Sequence, residues 1–214
     1  MMNSLGYIAA GVGATLLITG CSFLIGAILG IPVAIARRST SRIVRGVSRG
    51  FIDLVRSIPP LVWLFLVFFG FPQAGLSLTP LVAAILTFSF IATTYLAEIY
   101  RAGLVALGQG QWEASQALGL SAGDNYRFVV IPQVFRVIGP TMATYGIGLL
   151  KDSALASTIG VVELTFRASS ETQRTGNGLT VFATVGIIYL LLSLPLAIAS
   201  RRVDSRLRAR FSVA

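Results

Sequence analysis

The 214-residue chain has no histidine and a single cysteine, Cys21. Without imidazole, the commonest general base and the commonest metal ligand are both missing. One thiol forms no intrachain disulfide, and with no histidine beside it a zinc or haem site of the usual kind is excluded. Charge is scarce: 12% of residues are Asp, Glu, Lys or Arg, about half the share of an ordinary soluble domain. Lysine occurs once, at Lys151, where it follows Leu150. The Gly-Lys-[Ser/Thr] core of a phosphate-binding loop is therefore absent.

Apolar residues fill the space: 55% of the chain is hydrophobic and the mean hydropathy is +0.81. Disorder requires the opposite composition. The formal net charge of +9 would suggest nucleic acid in a soluble protein. Here the cations are spread between apolar runs and form no single patch, so no nucleic-acid partner is expected.

Residues 1–36, 57–97 and 175–200 carry no charge, nor do the 14 residues between Arg136 and Lys151. A spanning helix needs about 20 mostly apolar residues. Five spans are expected, at 11–36, 55–71, 80–100, 134–156 and 179–199, making an all-α polytopic membrane bundle in one domain, 1–214. Gly70, Pro72, Gly75 and Pro80 divide the long run 57–97 into two helices. The apolar part of the second, Ile58 to Phe71, has only 14 residues, so it must borrow from the segment before it. Nothing positive precedes the first run, which is expected to remain as a span and not to be cleaved as a signal.

Basic residues set the orientation. Of the 17 Lys and Arg, 14 fall after the first, third and fifth spans. Those segments are assigned to the cytoplasm, with the N-terminus outside and the C-terminus inside. Arg38, Arg42, Arg45, Arg49 and Arg56 recur on one helical face, with Ile43, Val47, Phe51, Leu54 and Val55 on the other. This is an amphipathic helix at the lipid headgroups, running into the second span. Asp53 is placed to pair with Arg49 or Arg56.

The segment from Arg101 to Val130 is long for so small a membrane protein. Gln111 to Leu118 has good helix formers, and Gly119 stops them. Ser121 with Asp124 has capping-box spacing, so a second short helix should run to about Val130 and end at Pro132. The pair makes either a compact cytoplasmic knob or a loop resting on the membrane.

At this point the motifs carry a resemblance. Glu113-Ala114-Ser115, three residues, Gly119, nine residues and Val129-Val130-Ile131-Pro132 resemble the EAA loop of ABC importer permeases, with Ser115, Val129 and Ile131 as small departures. Tyr95-Leu96-Ala97-Glu98-Ile99-Tyr100-Arg101-Ala102-Gly103 and Leu149-Leu150-Lys151-Asp152-Ser153-Ala154-Leu155 are similar to polar amino acid permeases of the histidine/glutamine/arginine type. Arg56-Ser57-Ile58-Pro59-Pro60-Leu61-Val62 resembles their Arg-Gly-Thr-Pro-Leu-Leu-Val segment less closely. Pro60 doubles the helix breaker, and Trp63 stands where that family usually has Gln.

The resemblance implies a permease subunit that moves a polar amino acid, or a related solute such as an opine, into the cytoplasm. It implies a second permease subunit, a dimer of separate ATPases that bind ATP-Mg, a periplasmic or lipoprotein solute-binding protein, and a multi-pass place in the lipid of the inner membrane. The chain itself would be no enzyme and hold no cofactor. The loop 102–132 would couple it to the ATPase through Glu113, Ala114, Ser115, Gly119 and Pro132. A non-transporting membrane scaffold has no reason to keep that spacing.

Candidates for the substrate pathway follow from the cost of charge in a membrane. Lys151 and Asp152 lie 14–15 residues past Arg136, about 22 Å at 1.5 Å per residue. They read a zwitterion, helped by Ser153 and Ser157, or they bridge each other. Thr15, Thr19 and Ser22 share one face of the first span, which lines the pathway or bonds across helices. Trp63 joins the pathway if it faces it. Glu98 and Arg101 are spaced for a local pair or gate. Gly26 and Gly30 suit close helix approach, and Cys21 packs.

Overall fold

The computed structural model describes residues 2–211, and among them every regular element is helical. The chain runs through α1 (Met2–Ala9), α2 (Val12–Arg37), α3 (Arg42–Ser57), α4 (Pro60–Gln73) and α5 (Pro80–Ala106). It continues through α6 (Gln109–Ala117), α7 (Ala122–Asp124), a π-helical segment (Asn125–Val130) and α8 (Ile131–Asp152). A 3-10 segment (Ser153–Ile159), α9 (Leu164–Thr175) and α10 (Gly178–Phe211) complete it.

Among the described residues three stretches are long and apolar enough to cross a membrane: Ser4–Arg37, Pro80–Ala106 and Gly178–Arg202. Their burial ranks them: 61% of the most apolar window of α5 lies inside the bundle, against 22% and 11% for the other two. The central helix is α5, and the outer pair turns Leu24, Ile28, Ile187 and Leu191 outward as a lipid-facing belt. Small residues make the central contact. A Cβ on Gly26 would clash with Ala92, and one on Gly30 would lie 3.1 Å from the Ala97 nitrogen. The glycine pair expected to permit close approach thus holds α2 against α5. Phe88, Ile18, Leu64 and Leu149 form the largest core cluster around that contact.

The second expected span is broken at its start: Ile58 and Pro59 are extended, and α3 meets α4 at 97°. The residue before a proline avoids helical dihedrals, and two prolines in a row enforce the break. Counting this bent pair as one crossing brings the number of long apolar candidates to four. The helix α8 has 22 residues and carries Arg136 near one end with Lys151 and Asp152 at the other.

On α3 the buried face is Ser48, Ile52 and Val55, not the whole apolar side. Ile43, Val47 and Leu54 are 79%, 68% and 58% exposed, which fits an apolar stripe laid into lipid. Asp53 pairs with Arg49 at 3.6 Å, an exposed pair of little energetic weight.

Two further boundaries differ from expectation. The helix placed at 80–100 runs on to Ala106. Pro132 does not end a short helix: α7, the π-helical segment and α8 form one continuous run. The wider π turn just before Pro132 relieves the clash its ring would make with the carbonyl four residues back. At the far end the α-helix stops at Asp152, short of 156, and tightens into the 3-10 segment.

The segment after it, unassigned from sequence, folds into α9 against α1 and α10, with Ile8, Leu164, Ala168 and Val185 as its core. Glu163 is fully buried at the N-cap of α9. It accepts bonds from the Phe166 N–H (2.8 Å), the Tyr189 hydroxyl (3.1 Å) and the Thr15 hydroxyl (3.4 Å). A buried carboxylate needs such donors, and here they tie α2, α9 and α10 together. No periodicity announces this role.

Candidate functional site

Two cavities meet at a pair of tyrosines. The larger, about 620 Å³, lies between α3, α5 and α8 and is lined by Arg56, Glu98, Arg101 and Thr141 among others. The smaller, about 170 Å³, is lined by Pro60, Phe88, Gly148 and Asp152. Tyr95 on α5 and Tyr145 on α8 border both. Their rings stack at 5.1 Å and 18°. The guanidinium of Arg56 rests over Tyr95, 4.4 Å from its centroid.

The charges of the larger cleft are arranged unequally. Glu98 takes Arg101 at 2.8 Å and Arg37 at 3.2 Å. The expected Glu98–Arg101 pair is thus one half of a triad joining the C-terminal ends of α2 and α5. Among the described residues Arg56 has no carboxylate partner.

Lys151 and Asp152 do not act as one pair. Consecutive helical residues point about 100° apart, and α8 carries these two to different cavities. Asp152 borders the small cavity. Lys151 faces a separate cleft of about 340 Å³ with Gly186, Tyr189, Leu190 and Ser193 of α10. No ion pair joins them among the described residues. Ser153 is fully buried and donates to the Leu150 carbonyl, and Ser157 donates to Ala154.

The polar face of α2 is taken up by helix packing. Thr15 and Ser22 are fully buried, and Ser22 donates to the Ile85 carbonyl of α5 at 3.2 Å. Thr19 donates to the carbonyl of Thr15. Trp63 donates from its indole N–H to the Val55 carbonyl at 3.0 Å and meets Phe90 edge-on at 5.1 Å. It braces the α3–α4 bend and lines neither of these two cavities. Tyr95 and Tyr145 were not singled out from sequence as pathway residues, since a tyrosine in an apolar helix reads as packing.

The loop between α5 and α8 is a folded knob. Glu113 and Ala114 on α6 are exposed, while Ser115 is buried and bonds back to Gln111. Gly119 adopts φ +70°, and Leu120 and Gly119 donate to the Ser115 and Gln116 carbonyls. That is a Schellman closure, which favours glycine. Ser121 accepts from the Asp124 N–H at 3.1 Å, as its spacing predicts. Trp112 packs edge-on against Tyr126, and Gln111 bonds Gln133 across the base. Leu118, 79% exposed, forms the tip.

A lipid-facing helical bundle with a charged aromatic cleft and a preformed knob at its basic end is the membrane component of a solute transporter. Residues 22–209 match the family described as binding-protein-dependent transport system inner membrane component, and the chain belongs to that family. It is 35% identical over 188 residues to the probable amino-acid ABC transporter permease YckA of Bacillus subtilis (strain 168), covering 88% of this chain and 83% of that one. It is 33% identical to the L-cystine transport system permease TcyB of the same organism, over 94% and 86%. Its fold matches the crystal structure of an amino acid ABC transporter with histidines at a TM-score of 0.88 and 29% identity, covering 96% of each chain.

Proposed function

We propose that this chain is the permease subunit of an ABC importer that carries a polar amino acid into the cytoplasm by alternating access. Five crossings, the fourth being α8 and the second the short α4, put the knob and most arginines inside. The cavities meeting at Tyr95 and Tyr145 form the pathway, with Asp152 on the outer side and Arg56 on the inner. The observation that carries this reading is that junction of a charged cleft and a smaller cavity, in a chain similar along most of its length to amino acid permeases.

Energy comes from a pair of separate ATPases that bind ATP-Mg. They dock on α6, with Glu113 offering polar contacts, Ala114 allowing close approach, and Ser115, Gly119 and Pro132 holding the knob to α8. A second permease subunit, the same chain or a homologue, completes the pathway, and a solute-binding protein delivers substrate from outside the inner membrane. The polar wall serves the amino acid's carboxylate and ammonium, and Lys151 serves helix contacts on the α10 side.

The test is uptake by proteoliposomes holding the permease with its ATPase and binding protein, across a panel of amino acids. ATP-dependent accumulation of one or a few is expected. Accumulation of an opine or other derivative alone, with every amino acid excluded, would refute the substrate class.

A further inference from the structure

The arrangement around Arg56 goes one step further, resting on the pathway reading above. We infer that Arg56, parked on the ring of Tyr95, is the group that reads the substrate's carboxylate and so selects amino acids over derivatives that lack that carboxylate, such as their carboxamides.

The chemistry is that of an idle cation in a cleft of matching size. Arg56 lines the 620 Å³ cleft. The other arginine on that wall, Arg101, is held by Glu98, which also takes Arg37. Arg56 has no carboxylate partner among the described residues, and its own helix offers Asp53 only to Arg49.

Tyr95 supplies the positioning. A guanidinium held 4.4 Å over a ring centroid is attracted by the ring's charge distribution and not by an acceptor atom, so N–H donors remain to fork onto a carboxylate. Tyr145, stacked on Tyr95, stiffens the platform, so less side-chain freedom is lost on binding. A lysine in the same place would be a point charge without the fork. The negative Asp152 lies beyond the tyrosine pair in the other cavity, so it does not compete for Arg56 and is free to face an ammonium group.

The experiment must avoid the binding protein, which selects substrates for itself. The purified permease–ATPase complex is assayed alone for binding of radiolabelled L-histidine, L-arginine and L-glutamine, with each carboxamide as competitor. Wild type should prefer at least one acid over its carboxamide by tenfold or more. Arg56→Gln should bring that ratio to within twofold of one, and Arg56→Lys should keep an intermediate preference. Tyr95→Leu should weaken acid binding severalfold by freeing the guanidinium.

A structural role alone lowers assembly, read by size-exclusion chromatography, without moving the ratio. An unchanged ratio in Arg56→Gln, or no acid preference in wild type including no binding at all, overturns the assignment. If Arg56→Gln fails to assemble, Arg56→Lys with a full wild-type preference overturns it equally. Uptake by the complete wild-type system separates the two readings: uptake without acid preference leaves the transport function standing, whereas no uptake of any amino acid removes it.

Discussion

Replacing Gly119 by valine should disconnect the permease from its motor while leaving it folded. The glycine closes α6 at φ +70°, where an L-residue pays about 1–2 kcal/mol, and a β-branched one more. Nothing lies within 4 Å of the place a Cβ would occupy, so the penalty is backbone strain and not collision. Opposing it are the two closing hydrogen bonds, at 3.0 and 3.1 Å, which contribute about 1 kcal/mol each. Strain in Gly119→Val therefore offsets roughly what holds the turn. Since about 1.4 kcal/mol is a factor of ten, the native turn loses an order of magnitude or more in occupancy. Asparagine tolerates this region better, so Gly119→Asn should be mild and Gly119→Ala intermediate. The assay is ATP hydrolysis stimulated by loaded binding protein in proteoliposomes, normalised to assembled complex. Wild-type stimulation in Gly119→Val, or a loss equal in all three variants, would show that the turn's geometry is not what transmits the motion.

Gly26→Val should weaken the α2–α5 contact by about 1–3 kcal/mol through overpacking against Ala92, and a thermal melt equal to wild type would contradict this. Glu163→Ala takes the acceptor from the buried Phe166 N–H and cuts the ties to Tyr189 and Thr15, whose hydroxyls keep Thr165 and Gly11 as partners, at about 1–3 kcal/mol for the one donor left without a partner; Glu163→Gln should melt closer to wild type, and the reverse order would reject the hub. Cysteines placed at Gln173 and Gly110 in a Cys21→Ser background should be labelled from outside and inside respectively, and labelling from one side would end the five-crossing topology. On α9, hydrogen bonds from Arg174 pull the Glu171 carboxyl down to about 2. A depressed folded-state value stabilises above the unfolded value and is lost as pH falls from about 4.5 toward 2, so Glu171→Gln should flatten the acid side of the melting profile relative to wild type.

Much of this protein is written in its composition. The uncharged runs at 1–36, 57–97 and 175–200 specify apolar helices, because a bilayer interior admits little else, but not where each helix ends: α5 runs on to Ala106 and α4 starts only at Pro60. The Gly119 turn and the Ser121 cap were equally readable, since each depends on a few adjacent residues. Pro59 and Pro60 were visible as breakers, yet not the 97° they produce, because a break is local and an angle depends on what the two helices pack against.

What only the tertiary structure decided is which polar groups face one another. Lys151 and Asp152 are neighbours in sequence and separate in space, while Arg56, Tyr95 and Tyr145 come from three helices and meet at one cleft. Thr15 found its partner in Glu163, 148 residues away. Helical periodicity reports the face on which a residue lies, but only the packing of α2, α5, α8 and α10 determines whether that face meets lipid, another helix or the pathway.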